Sequence, residues 1–126
     1  MTIEYKGLVP YLFYDDAGEA IEWYGRVFGY TEIGRWPDES GAIRNAEMRV
    51  GNTEIWLDGG GKRSFGEDGD ARPTWIGVWV EDVDQVFQMV TGAGVEVDPP
   101  VTRDFGVRML TVEDPFGYQW VFMRRT

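Results

Sequence analysis

The chain has 126 residues, with 12 basic and 22 acidic side chains, so its formal net charge at pH 7 is −10. That charge opposes binding to a nucleic acid or to an anionic membrane surface, and the length is typical of one domain. The absence of cysteine excludes disulfides, thiolate zinc sites and cysteine nucleophiles, and histidine is absent as well. No apolar run approaches the roughly 18 residues of a membrane span, and the first residues lack a secretion signal, so a cytoplasmic protein is expected.

The chain contains an internal repeat. In each half an apolar segment ends in two acidic residues, LVPYLFYDD (8–16) and TWIGVWVED (74–82), and leads into apolar residues at helical spacing. The acids favour a helix start, because carboxylates accept hydrogen bonds from the free amides and complement the helix dipole. Each helix is predicted to end at a glycine, Gly29 or Gly94. The similar order in the two halves indicates a duplication.

Three further short strands are predicted in each half. They are 31–36, 44–50 and 53–59 in the first half and 95–101, 107–113 and 118–124 in the second. The glycine-rich and charged stretch 59–73 is predicted to be a linker. The fold class is therefore α+β, with two tandem βαβββ modules, 1–58 and 74–126, whose curved sheets are expected to form a ligand-binding cup in a single domain, 1–126.

Two segments carry a family resemblance, PYLFYDDAGEAIEWYGRVFG (10–29) and EDPFGYQWVF (113–122). They resemble the glyoxalase/bleomycin resistance/dioxygenase superfamily, the vicinal oxygen chelate proteins, and in particular its short PhnB-like and bleomycin-resistance-like members. The resemblance covers essentially the whole chain. It indicates the fold more than any activity, because that superfamily contains both metal enzymes and binding proteins. It also implies a homodimer.

The enzymes of this superfamily hold a divalent metal with side chains that point into the cup, commonly two histidines and two glutamates or glutamines. Carried onto this chain, three of the four positions fall on Val9, Trp75 and Val121. The fourth falls within 54–58, where carboxylates are present. Valine and tryptophan offer no suitable lone pair. The resemblance therefore implies a member without the shared metal, and neither a metal nor another cofactor is expected.

The cup of such a member is predicted to be an aromatic pocket. Trp75 and Trp79 share one face of their strand, because side chains alternate along a strand. The candidate ligand-binding residues are Tyr11, Phe13, Trp36, Glu47, Trp56, Asp58, Trp75, Trp79, Arg108 and Gln119. Arg108 is expected to be the fixed cation of the pocket. Three alternatives stay open: Trp75, and similarly Trp56 and Trp79, as core filler; Trp36 in a dimer interface; and Glu47 on a solvated face or in a cross-strand salt bridge.

These residues predict a metal-independent protein that binds and sequesters an aromatic small molecule, with or without a positive charge, such as an antibiotic. Sequestration would give resistance by mass action without turnover. The alternative is a metal-free lyase or isomerase in which Glu47, Glu54 or Asp58 acts as acid or base. A third hypothesis is an interaction protein whose cup is filled by its own side chains.

Overall fold

A computed structural model describes residues 2–61 and 74–126 of the protein. The predicted linker, 59–73, lies mostly outside these residues. Within them the chain forms two helices and eight strands. In chain order they are β1 (Tyr11–Phe13), α1 (Ala17–Val27), β2 (Thr31–Pro37), β3 (Ile43–Val50), β4 (Thr53–Asp58), β5 (Trp75–Trp79), α2 (Val83–Gly92), β6 (Val101–Arg103), β7 (Val107–Glu113) and β8 (Gln119–Arg125). Neither of these helices is both long and apolar enough to cross a membrane.

The two halves have the same topology. The strands form two four-stranded sheets, ordered β1-β4-β3-β2 and β5-β8-β7-β6. In the first sheet β1 runs parallel to β4, and in the second β5 runs parallel to β8. All other neighbouring strands are antiparallel. The predicted α+β fold of two tandem βαβββ modules is confirmed. The described residues form two compact units, 2–25 with 29–61 and 26–28 with 74–126.

Both helices begin and end as their sequences predict. The side chain of Asp16 accepts a hydrogen bond from the amide of Glu19 at 3.2 Å, and the side chain of Asp82 accepts one from the amide of Gln85 at 3.1 Å. These carboxylates satisfy amides that have no partner within the helix. After α2 the chain turns at Gly94, whose φ of +88° lies in the left-handed region that favours glycine.

In the first unit one face of the sheet is buried. Its core side chains on β1, β3 and β4 are Leu12, Ala46, Met48, Ile55 and Leu57. Because side chains alternate along a strand, the intervening residues of these strands lie on the opposite face. That opposite face is exposed or half-buried, and it carries the aromatic candidates of this unit.

The second unit has a core of the same kind. The side chains of Leu110, Val112, Trp120 and Phe122 are buried on one face of its sheet, and α2 lies against β7 and β8. Phe28 packs edge-on against the rings of Trp120 and Phe122, with ring centres 5.7 and 5.1 Å apart. The remaining face of this sheet carries Trp75 and Trp79.

Two strands begin later in the chain than the sequence predicts. The first strand was predicted over 8–16, but β1 covers only Tyr11–Phe13, and Leu8 is 94% exposed. The carbonyl of Pro10 accepts a hydrogen bond from the backbone N–H of Trp56. Pro10 has no amide hydrogen of its own, so it cannot donate one to the neighbouring strand. The sixth strand was predicted over 95–101, but β6 begins at Val101. Two consecutive prolines, 99 and 100, remove the donors that pairing of the earlier segment requires.

Candidate functional site

The exposed face of the first sheet is aromatic. The register pairs Tyr11 with Trp56, and Trp56 in turn with Glu47, so these three side chains lie side by side across β1, β4 and β3. The rings of Tyr11 and Trp56 meet edge to face at 5.7 Å, and Phe13 stacks on Tyr11 at 5.5 Å. Edge-to-face and offset stacks of this kind stabilise aromatic clusters beyond the area that they bury.

Trp36 reaches the same face from β2, where its register partner is Asn45, and a nearby glycine leaves room for its ring. A Cβ atom placed on Gly34 would lie 3.1 Å from the Cη2 atom of Trp36, so the indole ring lies back across the Gly34 backbone. Gly34 is the register partner of Glu47. A side chain at Gly34 would displace the ring, and glycine therefore lets Trp36 lie beside Glu47.

These side chains surround a cleft of about 170 Å³ within the first unit. The cleft is lined by Tyr11, Trp36, Asn45, Ala46, Glu47, Trp56 and Leu57. An engineered core cavity of about 150 Å³ holds one benzene molecule, whereas sites for whole drug-sized ligands usually measure about 300–1,000 Å³. The cleft therefore has room for one ring or one head group of a ligand.

Hydrogen bonds hold the walls of the cleft. The Tyr11 hydroxyl donates to Oδ1 of Asn45 at 3.4 Å, and the Trp56 indole N–H donates to Oε1 of Glu54 at 3.1 Å. The second bond directs the polar edge of Trp56 toward Glu54. Among the described residues, no hydrogen bond or ion pair engages the Glu47 carboxylate, so the cross-strand salt bridge considered for it does not form there.

The predicted site residues of the first unit fall into two groups. The structure brings Tyr11, Trp36, Glu47 and Trp56 together around the cleft. Phe13 and Asp58 share the face but do not line the cleft. Asp58 accepts a hydrogen bond from the Gly60 amide at 2.6 Å and so orders the end of β4. Asn45 lines the cleft but was not among the candidates, although its alternation with Glu47 on β3 is visible in the sequence.

The second unit presents its own aromatic face. Trp75 and Trp79 are 67% and 56% exposed, and Gly77 lies between them. A Cβ atom on Gly77 would lie 2.7 Å from the Cε atom of Met123, so this methionine lies over the glycine between the two indoles. Gln119 is the register partner of Trp75 on the neighbouring strand β8, which puts it on the same face.

Arg125 is a cation on this face, whereas Arg108 lies on the opposite one. The guanidinium carbon of Arg125 lies 4.7 Å from the centre of the Trp79 ring. Arg125 was not predicted as a site residue, although it continues the alternation of Gln119 and Met123 along β8.

The expected orientation of Arg108 is wrong, because its guanidinium points to α2. It donates two hydrogen bonds to the Asp84 carboxylate, at 2.9 and 2.7 Å, and one to the Thr102 hydroxyl at 3.1 Å. The hydrogen bonds and positive charge of Arg108 hold the pKa of Asp84 below its ordinary value. Arg108 therefore joins α2 to β7 and β6, on the face opposite the tryptophans.

The side chains at the superfamily's metal positions do not fit a metal ion. Val9, Trp75 and Val121 carry no atom that coordinates a divalent cation. Among residues 2–61 and 74–126, no group of three or more acidic, histidine or cysteine side chains is arranged to hold one. The carboxylates near the fourth position, Glu54 and Asp58, instead accept hydrogen bonds from Trp56 and Gly60.

A second cleft, of about 360 Å³, lies at the start of α2 and is polar. It is lined by Glu81, Asp82, Gln85 and Arg124. Asp82 is already engaged with the Gln85 amide as the helix cap. Binding sites for organic molecules are usually apolar, whereas these four side chains are polar or charged. The second cleft is therefore interpreted as the solvated start of α2.

Known proteins share both the sequence and the fold. The model of the Glyoxalase/Bleomycin resistance protein/Dioxygenase superfamily matches residues 7–122. An uncharacterized protein of Mycobacterium bovis is 33% identical over 120 residues, which cover 90% of this chain and 79% of that protein. The crystal structure of TioX from Micromonospora sp. ML1 is 31% identical, with a TM-score of 0.79 over 97% of this chain and all of TioX.

A bleomycin-binding protein, crystallised with bleomycin, has the same fold at 14% identity. Its TM-score is 0.72 over 97% of this chain and 100% of that one. The extent of the family match and the identity to relatives that are covered over most of their length agree with the tandem βαβββ topology. The chain belongs to the Glyoxalase/Bleomycin resistance protein/Dioxygenase superfamily.

Proposed function

We propose that this protein binds and sequesters an aromatic small molecule, such as an antibiotic, without a metal ion. The observation that carries the proposal is the cleft of about 170 Å³ between Tyr11, Trp36 and Trp56. Its walls are aromatic, and 51% of Trp36 and 37% of Trp56 remain exposed to solvent. A flat ring stacked among them would cover apolar surface that the folded chain leaves in water.

The tryptophans of the second unit support the same proposal. Trp75 and Trp79 expose large apolar faces, and large exposed apolar surfaces on soluble proteins commonly mark binding sites. We assign to them a stacking role toward the same class of ligand, and to Gln119, beside Trp75, a hydrogen-bonding role. Phe13 and Asp58 have supporting roles, since Phe13 stacks on Tyr11 and Asp58 orders the end of β4.

The biological consequence that we propose is drug resistance by mass action. The bleomycin-binding protein, which holds bleomycin in its crystal structure, is an example of an antibiotic bound on this fold. At 14% identity it shares only the fold with this chain, so the antibiotic for this protein must be found by experiment. The family resemblance also supports a homodimer, which light scattering of the purified protein tests.

One observation favours a second candidate, a metal-free lyase or isomerase. Glu47 lies in the cleft, and no described residue engages its carboxylate. A general base must be free to take a proton from a bound substrate, and Glu47 meets that requirement. Sequestration and turnover differ in what happens to the ligand, so the two candidates can be separated directly.

The test begins with a tryptophan-fluorescence screen of aromatic antibiotics, followed by equilibrium dialysis of any compound that binds. The expected result is at most one ligand per cleft, returned unchanged in mass after the protein is denatured. Trp36→Ala or Trp56→Ala should weaken binding by about 1–3 kcal/mol, the scale of a central aromatic contact. Trp23→Phe, on α1 and outside both aromatic faces, is the matched control. Accumulation of a modified compound beyond one equivalent would reject sequestration and favour the lyase or isomerase.

A further inference from the structure

We propose that the cleft of the first unit selects a positively charged group of its ligand, namely a quaternary or protonated alkylammonium group. This inference rests on the proposed binding function and adds the chemical class that the cleft recognises. It follows from one carboxylate and two indoles, which the register of β2, β3 and β4 puts side by side.

Glu47 lies between two tryptophans. On one side its register partner is Trp56 on β4, and directly opposed residues of neighbouring strands have Cβ atoms about 4.5–5.5 Å apart. On the other side its partner is Gly34 on β2, across which the Trp36 ring lies. A group that contacts the Glu47 carboxylate is therefore flanked by an indole on each side.

This arrangement matches the requirements of an organic cation. The faces of tryptophan rings attract ammonium groups through the ring quadrupole, and aromatic sites with this property recognise quaternary ammonium ligands in other proteins. Of the residues around the cleft, Glu47 is the charged one, so no lining cation opposes the ligand. The Trp56 N–H is directed to Glu54, so this polar edge does not compete for the Glu47 carboxylate.

A metal cation is a poorer match for the same cleft. Ca²⁺ and Mg²⁺ need about six oxygen ligands, whereas the cleft offers the Glu47 carboxylate and the Asn45 amide, whose Oδ1 already accepts from Tyr11. An alkylammonium group needs no set of six oxygen ligands: its alkyl surface is apolar, and the Glu47 carboxylate can accept from any N–H that it carries. The volume of about 170 Å³ also suits a compact head group. The net charge of −10 adds a long-range attraction for cations.

The test compares choline with 3,3-dimethyl-1-butanol, which has the same shape with a carbon atom in place of the charged nitrogen. Binding to the intact protein is followed by the indole N–H signals of Trp36 and Trp56 in NMR spectra, assigned with the Trp→Phe variants. We expect choline to bind about 2- to 30-fold more tightly than the neutral compound. In Glu47→Gln this preference should become smaller, because the carboxylate charge is lost while both indole faces remain, and the melting temperature should be unchanged.

The matched control is Glu96→Gln, which removes the same charge from an exposed position in the second unit. This variant should keep the preference for choline, because Glu96 does not line the cleft and its removal changes only the long-range attraction of the protein for cations. Equal binding of the two compounds, or an undiminished preference in Glu47→Gln, would overturn the inference. If neutral aromatic compounds shift the two indole signals and cations do not, the inference fails while the proposed binding function stands. If neither class shifts them, both fail.

Discussion

The guanidinium carbon of Arg125 lies 4.7 Å from the centre of the Trp79 ring. One face of this indole is therefore covered by a cation of its own sheet, whereas Trp75 has no such cover among the described residues. The two tryptophans share a face but differ in how they can meet a ligand. An aromatic ligand can stack directly on Trp75, but on the covered side of Trp79 it must first displace Arg125.

Removal of the Arg125 side chain should therefore expose Trp79. In Arg125→Ala we expect quenching of tryptophan fluorescence by acrylamide to increase, and the free energy of unfolding to fall by about 0.5–1 kcal/mol at most. Arg125→Lys should have a smaller effect, since it retains a cation. The increase in quenching should disappear when Trp79 is replaced by phenylalanine. An equal increase in that background would show that Arg125 covers a different tryptophan.

Trp75→Ala should separate a binding role from a role in the core. Because Trp75 is 67% exposed, we expect its replacement to leave the melting temperature nearly unchanged. If Trp75 stacks on the ligand, affinity should fall by about 1–3 kcal/mol. The alternative of a core filler requires a loss of stability of about 3–5 kcal/mol.

The matched control is Trp120→Ala, because Trp120 is fully buried. It should show the large destabilisation that Trp75→Ala lacks. Unchanged affinity in Trp75→Ala together with a low melting temperature would move this residue from the site to the core.

The sequence predicts the faces of single strands better than it predicts how strands pair. The alternation of side chains sufficed to put Glu47 and Asn45 on one face of β3. It did not fix the orientation of Arg108, because the face of a β7 residue depends on its register with β8. The observed register pairs Arg108 with Arg124, and Met109 with Met123, beside Trp79. A shift of one residue would reverse these faces. The one local indication, the alternation of Arg108 with the apolar Leu110 and Val112, favours the face that is observed.

The position of the Trp36 ring could not be predicted from the sequence either, because it also depends on how strands pair. Its place at the end of β2 was visible, but its return across Gly34 depends on the register between β2 and β3, which is interrupted by irregular pairing. The spacing of apolar residues alone does not determine the order in which the strands pair. The resemblance to the superfamily provided that order.

The ion pair between Asp84 and Arg108 predicts a dependence of stability on pH. The pKa of Asp84 is lowered in the folded state, so the carboxylate stabilises the fold fully above its unfolded pKa. That contribution is lost as the pH falls through the lower, folded pKa. In an NMR titration, Asp84 should keep its charge at pH values where an ordinary aspartate is protonated.

Arg108→Gln is the variant that tests this explanation. It should return the pKa of Asp84 toward the ordinary value, because it removes the charge and the paired N–H donors. The free energy of unfolding should then fall less steeply as the pH is lowered, because the contribution of this ion pair is no longer there to be lost. An unchanged titration of Asp84 in the variant would mean that another group lowers its pKa.

The donor set at the superfamily's metal positions predicts that the purified protein carries no tightly bound divalent ion. After dialysis, elemental analysis should find much less than one equivalent of Ni, Zn, Mn or Fe. Melting temperatures with and without a chelator should agree, because Val9, Trp75 and Val121 cannot bind a metal. One tightly held equivalent would contradict this and would favour an enzyme that uses the carboxylates of the first unit.

The turn before β8 depends on one buried carboxylate, that of Asp114. Its Oδ2 atom accepts a hydrogen bond from the indole N–H of Trp120 at 2.9 Å, and its Oδ1 atom accepts from the amides of Phe116 and Tyr118, both at 2.9 Å. Asp114→Ala leaves these donors without their acceptor, and Trp120 is too deeply buried for water to replace it. We therefore expect the free energy of unfolding to fall by roughly 2–4 kcal/mol in urea denaturation.

A double-mutant cycle with Trp120→Phe identifies the donor responsible for this cost. Trp120→Phe removes the buried N–H, so Asp114→Ala should cost less in that background than in the natural protein. Asp98→Ala, at an exposed position of the same unit, should change stability by no more than about 0.5 kcal/mol. If Asp114→Ala costs the same in both backgrounds, the carboxylate stabilises the turn through the amides of Phe116 and Tyr118, and the indole bond contributes nothing measurable.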